Sequence, residues 1–557
     1  MIFTSLLHKL AQIIYAPAGS PSLWPFVFFP VLFAVLIFWK YRPPAERVLR
    51  RAHQAVVALI LVLLGTILLS HLFYLAGNYL TNSYALLYAN LSWISSNGQA
   101  LYTSSDSVSR YSLPYGPAGY VIVGLFQHLL GPSPFSSKLP VFCSWLGGFL
   151  FLCLTLCLRH KWTTALAAIT LGMAIFPHFQ EFDFWPRPDF FLFFLVLFGL
   201  WMVAKDFRFT WIWLGILIGI AVDLKVHGFA YFLPVIGLLL QKRPNILAAA
   251  MGFGISLCTA LMPFIVSHQI SLTNYWEVLH MDAGHRFEPN FLSHIYGFLV
   301  VFSMTAFAPF IIYRVDGATV QTIIKKNAPF LLGLLAGVLL VLYPASLEGA
   351  GEHHLIPFTG LFLYLGSTFY ADLKAAGHAR WTLSPVGGSL IFSQWGFIYI
   401  YALIINTLLL GHLRADNRTA QIRLADLDQI MHEHANEIIL NAPGSLKAVE
   451  ADTYRFYPVF HGMPMGVDPT AMMDFTEGHV PEPQLDSLVE QMEAQYHRKV
   501  MWISPRNEKP FSETSYYHPF GNVFSDTFVQ DFHRRFRLSG HSDWFDIYQD
   551  TKVTDPK

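Results

Sequence analysis

About twelve apolar stretches, many of them close to the roughly 20 helical residues that span a hydrocarbon layer and some shorter, run from Trp24 to about Gly411. A segment surrounded by lipid must satisfy its own backbone polar groups, so stretches of this length can only be helices. Lys and Arg gather in every second connection, at 40–51, 159–161, 205–208, 242–243, 314–326 and 374–380. That alternation is the positive-inside pattern and assigns these connections to the cytoplasm. By parity the amino terminus, the loops 77–138, 177–189, 268–294 and 348–354, and everything after residue 412 face outside. The fold class expected is an all-α polytopic membrane domain over 1–411, followed by an extracytoplasmic α/β domain over 412–557.

Composition supports the membrane class, because 54% hydrophobic and only 13% charged residues could not be covered by the surface of a soluble chain. Net charge is zero, so no nucleic-acid footprint is present. The four cysteines, Cys143, Cys153, Cys157 and Cys258, all sit in apolar stretches and match no metal or redox spacing. Residues 1–22 lack the basic start, apolar core and small-residue site of a cleavable signal, which leaves targeting to the first spanning helix.

Two stretches, 211–222 and 229–240, are short and flank the turn Asp223-Leu-Lys225-Val-His227-Gly228. Charges at that depth are costly unless they line a polar cavity, so a buried helical hairpin is expected. A lysine snorkelling to the interface is the plainer alternative. In the tail, helices are expected at 414–436, 484–497 and 526–536, and strands at 437–440, 499–504 and 544–548. No glycine-rich phosphate loop opens any of these helices, so nucleotide binding is not expected there.

The chemistry concentrates in the outer loops. The first carries Asn97-Gly-Gln-Ala-Leu-Tyr102 and Tyr111-Ser-Leu-Pro-Tyr-Gly-Pro117, then an apolar segment 120–130 that reads as an interfacial amphipathic helix. The second reads Glu181-Phe-Asp183-Phe-Trp-Pro-Arg187-Pro-Asp189 directly before a spanning helix, and an Arg187–carboxylate anchor is the structural reading of that cluster. Asn90-Leu-Ser92 and Asn417-Arg-Thr419 are glycosylation sequons, a three-residue pattern frequent by chance. The aromatic excess is mainly lipid-facing and interfacial, with Trp185 and Trp276 placed where a sugar could stack.

The order of these pieces resembles the GT-C superfamily of lipid-linked-sugar glycosyltransferases. They are Gly-x-x-Leu-Tyr and Tyr-Gly-Pro in a long first outer loop, Arg187-Pro-Asp189 opening a later helix, the Gly219 to Lys225 segment, and His353-His-Leu-Ile-Pro357. The resemblance implies transfer of a sugar from a polyprenyl-phosphate donor to an extracytoplasmic glycan, lipid or protein, in a multi-pass protein of a bacterial inner membrane. Displacement at an anomeric carbon needs positive charge for the leaving phosphate and a base for the acceptor hydroxyl. Arg187, Lys225 and Arg286 are the candidates for the phosphate, with Asn82, Glu181, Asp189, His227, His285, His353 and His354 lining the pocket. Where such enzymes carry an early acidic residue, this chain reads Asn78-Tyr-Leu-Thr-Asn82, and an amide cannot take a proton near neutral pH. Asp183, flanked by aromatic residues that would raise its pKa, is the first substitute and Asp106 the second. His280, Asp282 and His285 are weak candidates for a divalent metal ion. Two other readings stay open: a catalytically silent member that binds lipid-linked sugar or scaffolds a polysaccharide assembly complex, and a transporter or flippase.

Overall fold

The computed structural model describes residues 46–80, 83–175, 186–312, 315–378, 396–444, 453–515 and 521–551. The apolar stretch from Trp24, and Asn82, Glu181, Asp183 and Trp185, lie outside the described residues. The described helical domain comprises α1 (Glu46–Ala76), α2 (Ser83–Ser96), α3 (Pro117–Leu130), α4 (Pro134–Cys157), α5 (Trp162–Ile175), α6 (Pro188–Ala204) and α7 (Thr210–Leu224). A 3-10 segment, Val226–Phe232, leads into α8 (Leu233–Lys242), then α9 (Ile246–Val266), α10 (Leu272–Asp282), α11 (Pro289–Ile312), α12 (Gly317–Lys326) and α13 (Ala328–Ala345). A second 3-10 segment, Glu352–Phe358, precedes α14 (Thr359–Ala375) and α15 (Gly396–Glu433).

Three described helices, α4, α9 and α13, are long and apolar enough to cross a membrane, and seven more apolar helical stretches run 10–17 residues. The chain reverses at Lys225 between the short pair flanking Asp223, but the two do not pack as a hairpin: α7 lies against α9 and the 3-10 segment, and α8 lies against α13. The close packing of α7 on the 3-10 segment depends on Gly228, where a Cβ would overlap the Ala221 carbonyl.

The basic connections gather at one end of the bundle. Lys242 Nζ donates to the Val203 carbonyl at 2.8 Å, Arg243 pairs with Asp206 at 2.8 Å, and Lys326 pairs with Asp372 at 2.6 Å. The Gln241 side chain reaches the Lys326 carbonyl at 2.6 Å, and the His160 ring stacks on Tyr370. At the opposite end, Lys138, the fifth residue of α4, is fully buried and donates to the carbonyls of Tyr74, Gly77 (2.7 Å) and Tyr79 (3.2 Å). A cation there satisfies the orphan carbonyls at the carboxyl end of α1 and complements its dipole. The 77–138 loop is thus pinned at both of its ends by one side chain.

Within that loop α3 starts with Pro117 at its first position and ends at Gly131, φ +82°. Tyr120, Val123, Gly124 and Gln127 are buried, whereas Val121, Leu125 and Leu129 form an exposed apolar stripe at four-residue spacing. This is the amphipathic helix expected at 120–130.

The tail does not begin at a break. α15 runs unbroken through residue 411, burying Leu413, Ala420 and Leu427 at seven-residue spacing, and packs along α1. β1 (Glu437–Asn441) follows, then α16 (Thr453–Phe460), α17 (Pro469–Glu477), α18 (Leu485–Tyr496), β2 (Lys499–Pro505), α19 (Asp526–Arg535), β3 (Phe536–His541) and β4 (Phe545–Asp550). The sheet order is β1-β2-β4-β3, with β1 and β2 parallel and the other pairs antiparallel. Alternation along the strands separates two faces. Ile438, Leu440, Val500 and Trp502 pack with α18 and α19 residues, while Ile439, Met501 and Ile503 pack with Leu427 and Ile430 of α15. The expected strands are present; β3 is added at the end of a helix that had been expected to run through 536.

Candidate functional site

At the tail-bearing end, four chain segments bring their polar side chains together. Arg187 is the N-cap of α6, in extended backbone because Pro188 follows it, and Asp189 lies in the first turn, where the helix dipole favours a carboxylate. Lys225 caps the carboxyl end of α7. Its Nζ lies 2.6 Å from Asp189 Oδ1, and Arg187 Nε lies 3.9 Å from Asp189 Oδ2. One buried carboxylate thus holds two buried cations side by side.

Arg187 Nη2 also donates to Tyr115 Oη at 2.7 Å and to His353 Nε2 at 2.8 Å. A guanidinium has no lone pair to offer, so His353 must accept through Nε2 and is neutral in this contact. Burial, reinforced by the Arg187 charge, lowers the His353 pKa far below the usual imidazole value. Tyr115 accepts from Arg187 and keeps its own O–H proton for another partner, since burial pushes its phenol up to about 12. Its ring lies 5.8 Å from the Arg187 guanidinium carbon and 5.5 Å from Lys225 Nζ, within cation–π range of both. The Tyr84 ring of α2 approaches Arg187 similarly at 5.5 Å.

Backbone contacts explain the position of Tyr115. Tyr102 Oη donates to the Tyr115 carbonyl at 2.6 Å, and the Gly116 N–H donates to the Leu224 carbonyl at 3.2 Å. A Cβ on Gly116 would overlap the Asp223 carbonyl, so only glycine allows the first loop to lie against the α7 turn. Asp223 is buried against the start of α3. The Leu-Tyr, Tyr-Gly-Pro and Lys225 motifs, distant in sequence, therefore dock onto one another. Across the site, His354 Nδ1 lies 3.3 Å from His227 Nε2, and Tyr231 Oη donates to the His354 carbonyl at 2.8 Å, tying the two 3-10 segments together.

The tail closes the same end. The Arg110 N–H donates to the Gly466 carbonyl at 3.0 Å and the Asp468 N–H to the Arg110 carbonyl at 2.9 Å, a parallel bridge between the first loop and the segment before α17. Buried His285 lies 3.4 Å from Asp282 Oδ1 through Nδ1 and 3.8 Å from Asp474 Oδ1 of α17 through Nε2. An antiparallel bridge, Phe287↔Leu347, joins the strip after His285 to the strip that leads to His353.

Of the residues singled out in the sequence, Arg187, Asp189, Lys225, His227, His353 and His354 form this cluster. Others do not join it. Arg286 is exposed, its Nε 3.7 Å from Glu477 Oε1 of the tail, and Asp106 is exposed in a turn where the Ser104 hydroxyl accepts its N–H at 3.2 Å. His280 is exposed, and no three His, Cys, Asp or Glu side chains are grouped to hold a metal ion among the described residues. Neither sequon is an open acceptor: Asn90 is buried and donates to the Arg455 carbonyl at 3.1 Å, and Asn417 accepts from the Asn78 N–H at 2.9 Å. Asn82, Glu181 and Asp183 lie outside the described residues. Sequence reasoning quoted Tyr115 and Asp223 within motifs without placing them in the site, and it missed Asp474, for which no signal exists short of the tail's docking.

Residues 113–356 match the sequence model of Glycosyltransferase family 87, a span that contains the whole cluster except Tyr84. The crystal structure of ArnT from Cupriavidus metallidurans bound to undecaprenyl phosphate superposes with a TM-score of 0.55 at 13% identity, covering 91% of this chain and 100% of that one. The apo state of the same protein gives 0.51 with the same identity and coverage. Archaeoglobus fulgidus oligosaccharyltransferase aligns at a TM-score of 0.42 and 11% identity, covering 81% of this chain and 69% of that one. No curated protein matches the chain in sequence. Family match and fold agree with the motifs.

Proposed function

We propose that this integral membrane protein with the GT-C glycosyltransferase fold moves a sugar from a polyprenyl-phosphate donor to an acceptor on the side of the membrane that the tail occupies. The observation that carries the reading is the convergence of Arg187 and Lys225 on Asp189, buried at the mouth of the bundle. Leaving-group chemistry has the same requirement: as the bond to the anomeric carbon lengthens, negative charge grows on the phosphate, and preorganised cations away from water stabilise it most. Arg187 would offer N–H groups in a planar fork, Lys225 a point charge, and Tyr115 its unspent O–H. Neutral His353 and His354 would add hydrogen bonds without competing charge. ArnT, whose fold this chain shares, was crystallised with undecaprenyl phosphate, the class of leaving group proposed here.

The lipid tail of the donor would run down the apolar faces of the bundle, and the acceptor would enter from the tail side. With the basic end of the bundle in the cytoplasm, that side is extracytoplasmic. Binding of undecaprenyl phosphate to protein in lipid nanodiscs, followed by native mass spectrometry, tests the reading. Retention by the wild type and loss of at least tenfold in affinity in Arg187→Ala and Lys225→Met are expected. Equal retention by all three would remove the phosphate from this cluster.

A further inference from the structure

The proposed reaction needs a base for the acceptor hydroxyl, and the stretch 78–82 that would carry an early carboxylate holds asparagines instead. We propose that Asp282, the last residue of α10, is that base, an inference that rests on the transferase reading above. Two carboxylates act on the Lys225 ammonium through their charge, Asp189 and Asp282. Asp189 is committed, buried with its Oδ1 2.6 Å from Lys225. Asp223, the other carboxylate of this turn, is buried against the start of α3. Asp282 differs: 41% of its side chain is exposed, so a hydroxyl can reach it.

Its surroundings fix its position. Tyr275, one face of α10, packs on Tyr102 with ring centres 4.9 Å apart, and Tyr102 in turn holds the carbonyl of Tyr115, whose hydroxyl meets Arg187. From the other side His285, 3.4 Å from Asp282 Oδ1, is itself backed by Asp474 of the tail at 3.8 Å. Asp282 thus lies between the Tyr275–Tyr102 packing that leads to Arg187 and the His285–Asp474 pair that leads to the tail. The titratable and charged groups that act on it are His285 and Lys225, with Tyr115 and Tyr275 coupled to it and Asp474 standing behind His285.

In the step, the acceptor O–H bond breaks and its proton passes to the Asp282 carboxylate. The acceptor oxygen bonds to the anomeric carbon. The bond from that carbon to the phosphate oxygen breaks, and its electron pair leaves with polyprenyl phosphate, where Arg187 and Lys225 meet the charge. The proton ends on Asp282 and is lost to solvent through its open face.

The test uses full-length protein in nanodiscs, synthetic undecaprenyl-phosphate hexoses and pentoses as donors, and envelope extract as acceptor. Asp282→Asn should lower the transfer rate about 10²–10⁴-fold while undecaprenyl phosphate affinity stays within about twofold, which also shows that the variant is folded. Asp282→Glu should recover part of the rate, and the wild-type rate should fall on acidification through a limb that the Asn variant lacks. Transfer by wild type and Asp282→Asn alike, or loss in Asp183→Asn with Asp282→Asn active, would overturn the assignment and leave the transferase reading standing. No transfer by the wild type from any donor would overturn both.

Discussion

Asp189 is the side chain on which the cluster turns, because it neutralises cations from two helix ends within one buried space. Removing one member of a buried pair leaves an uncompensated charge, which costs about 3–5 kcal/mol. Asp189→Asn and Lys225→Met should each lower stability by about that amount in chemical denaturation, while the double variant should lose clearly less than the sum. Additive losses would show that the pair is not energetically coupled. Arg187→Lys keeps the charge but loses the planar fork that meets Tyr115 and His353 at once, so kcat/KM should drop on the order of 10–100-fold with donor-lipid binding partly kept. At this scale the sequence revealed residue types but not directions. Arg187, Lys225 and His353 stood out as polar groups at apolar boundaries and do converge. Arg286 carried the same signal, yet it turns out to Glu477, because solvent and neighbours decide where an interfacial side chain points, and Asp106, chosen only as the one carboxylate of the first loop, sits in a serine turn.

Elements transmit these positions through close backbone contacts. Gly116 lets the start of α3 meet the Asp223 carbonyl; Gly116→Ala must push the two apart and carry Tyr115 away from Arg187. Transfer should fall at least 100-fold, since misplacement of about 1 Å costs that much. The matching control is Gly254→Ala on α9, where an added Cβ meets nothing within 4 Å; helix propensity should make it neutral or slightly stabilising, by up to about 1 kcal/mol. If both variants behave alike, the close approach is not what positions the site. The long apolar helices, the amphipathic α3, three tail helices and most tail strands were legible because their periodicity is strong; the short α16 and α17, with barely two turns each, were not. β3 was not: Arg537, Leu538, Ser539 and Gly540 carry no alternation of apolar residues, and the strand forms by pairing with β4 around a bulge between Leu538 and Gly540. Both 3-10 segments, whose geometry places His227, His353 and His354, also escape a periodicity argument, as seven residues hold barely two turns.

On the scale of the whole molecule, two segregations organise function: basic connections at one end, the cluster and the tail at the other. The first was readable from Lys and Arg alone. The second followed from the same alternation by parity, but how the tail docks did not, because α15 carries the chain from bundle to sheet without a break and only tertiary contacts such as Asn90 to Arg455 bring the tail against the bundle. Leu427 lies fully buried where α15 meets the sheet, so Leu427→Ala should cost about 2–5 kcal/mol and lower the unfolding temperature of the tail, read by hydrogen exchange on β1 and β2. Unchanged protection there would mean that α15 is a tether rather than a layer of the tail. The central claim is that Arg187 and Lys225 receive a departing polyprenyl phosphate, and its most direct test is release of free polyprenyl phosphate from a panel of undecaprenyl-phosphate sugars by purified protein in nanodiscs supplied with envelope extract. Release by the wild type from at least one donor, abolished in Arg187→Ala, is the expected result; release that persists in Arg187→Ala and Lys225→Met, or no release from any donor, would contradict the account.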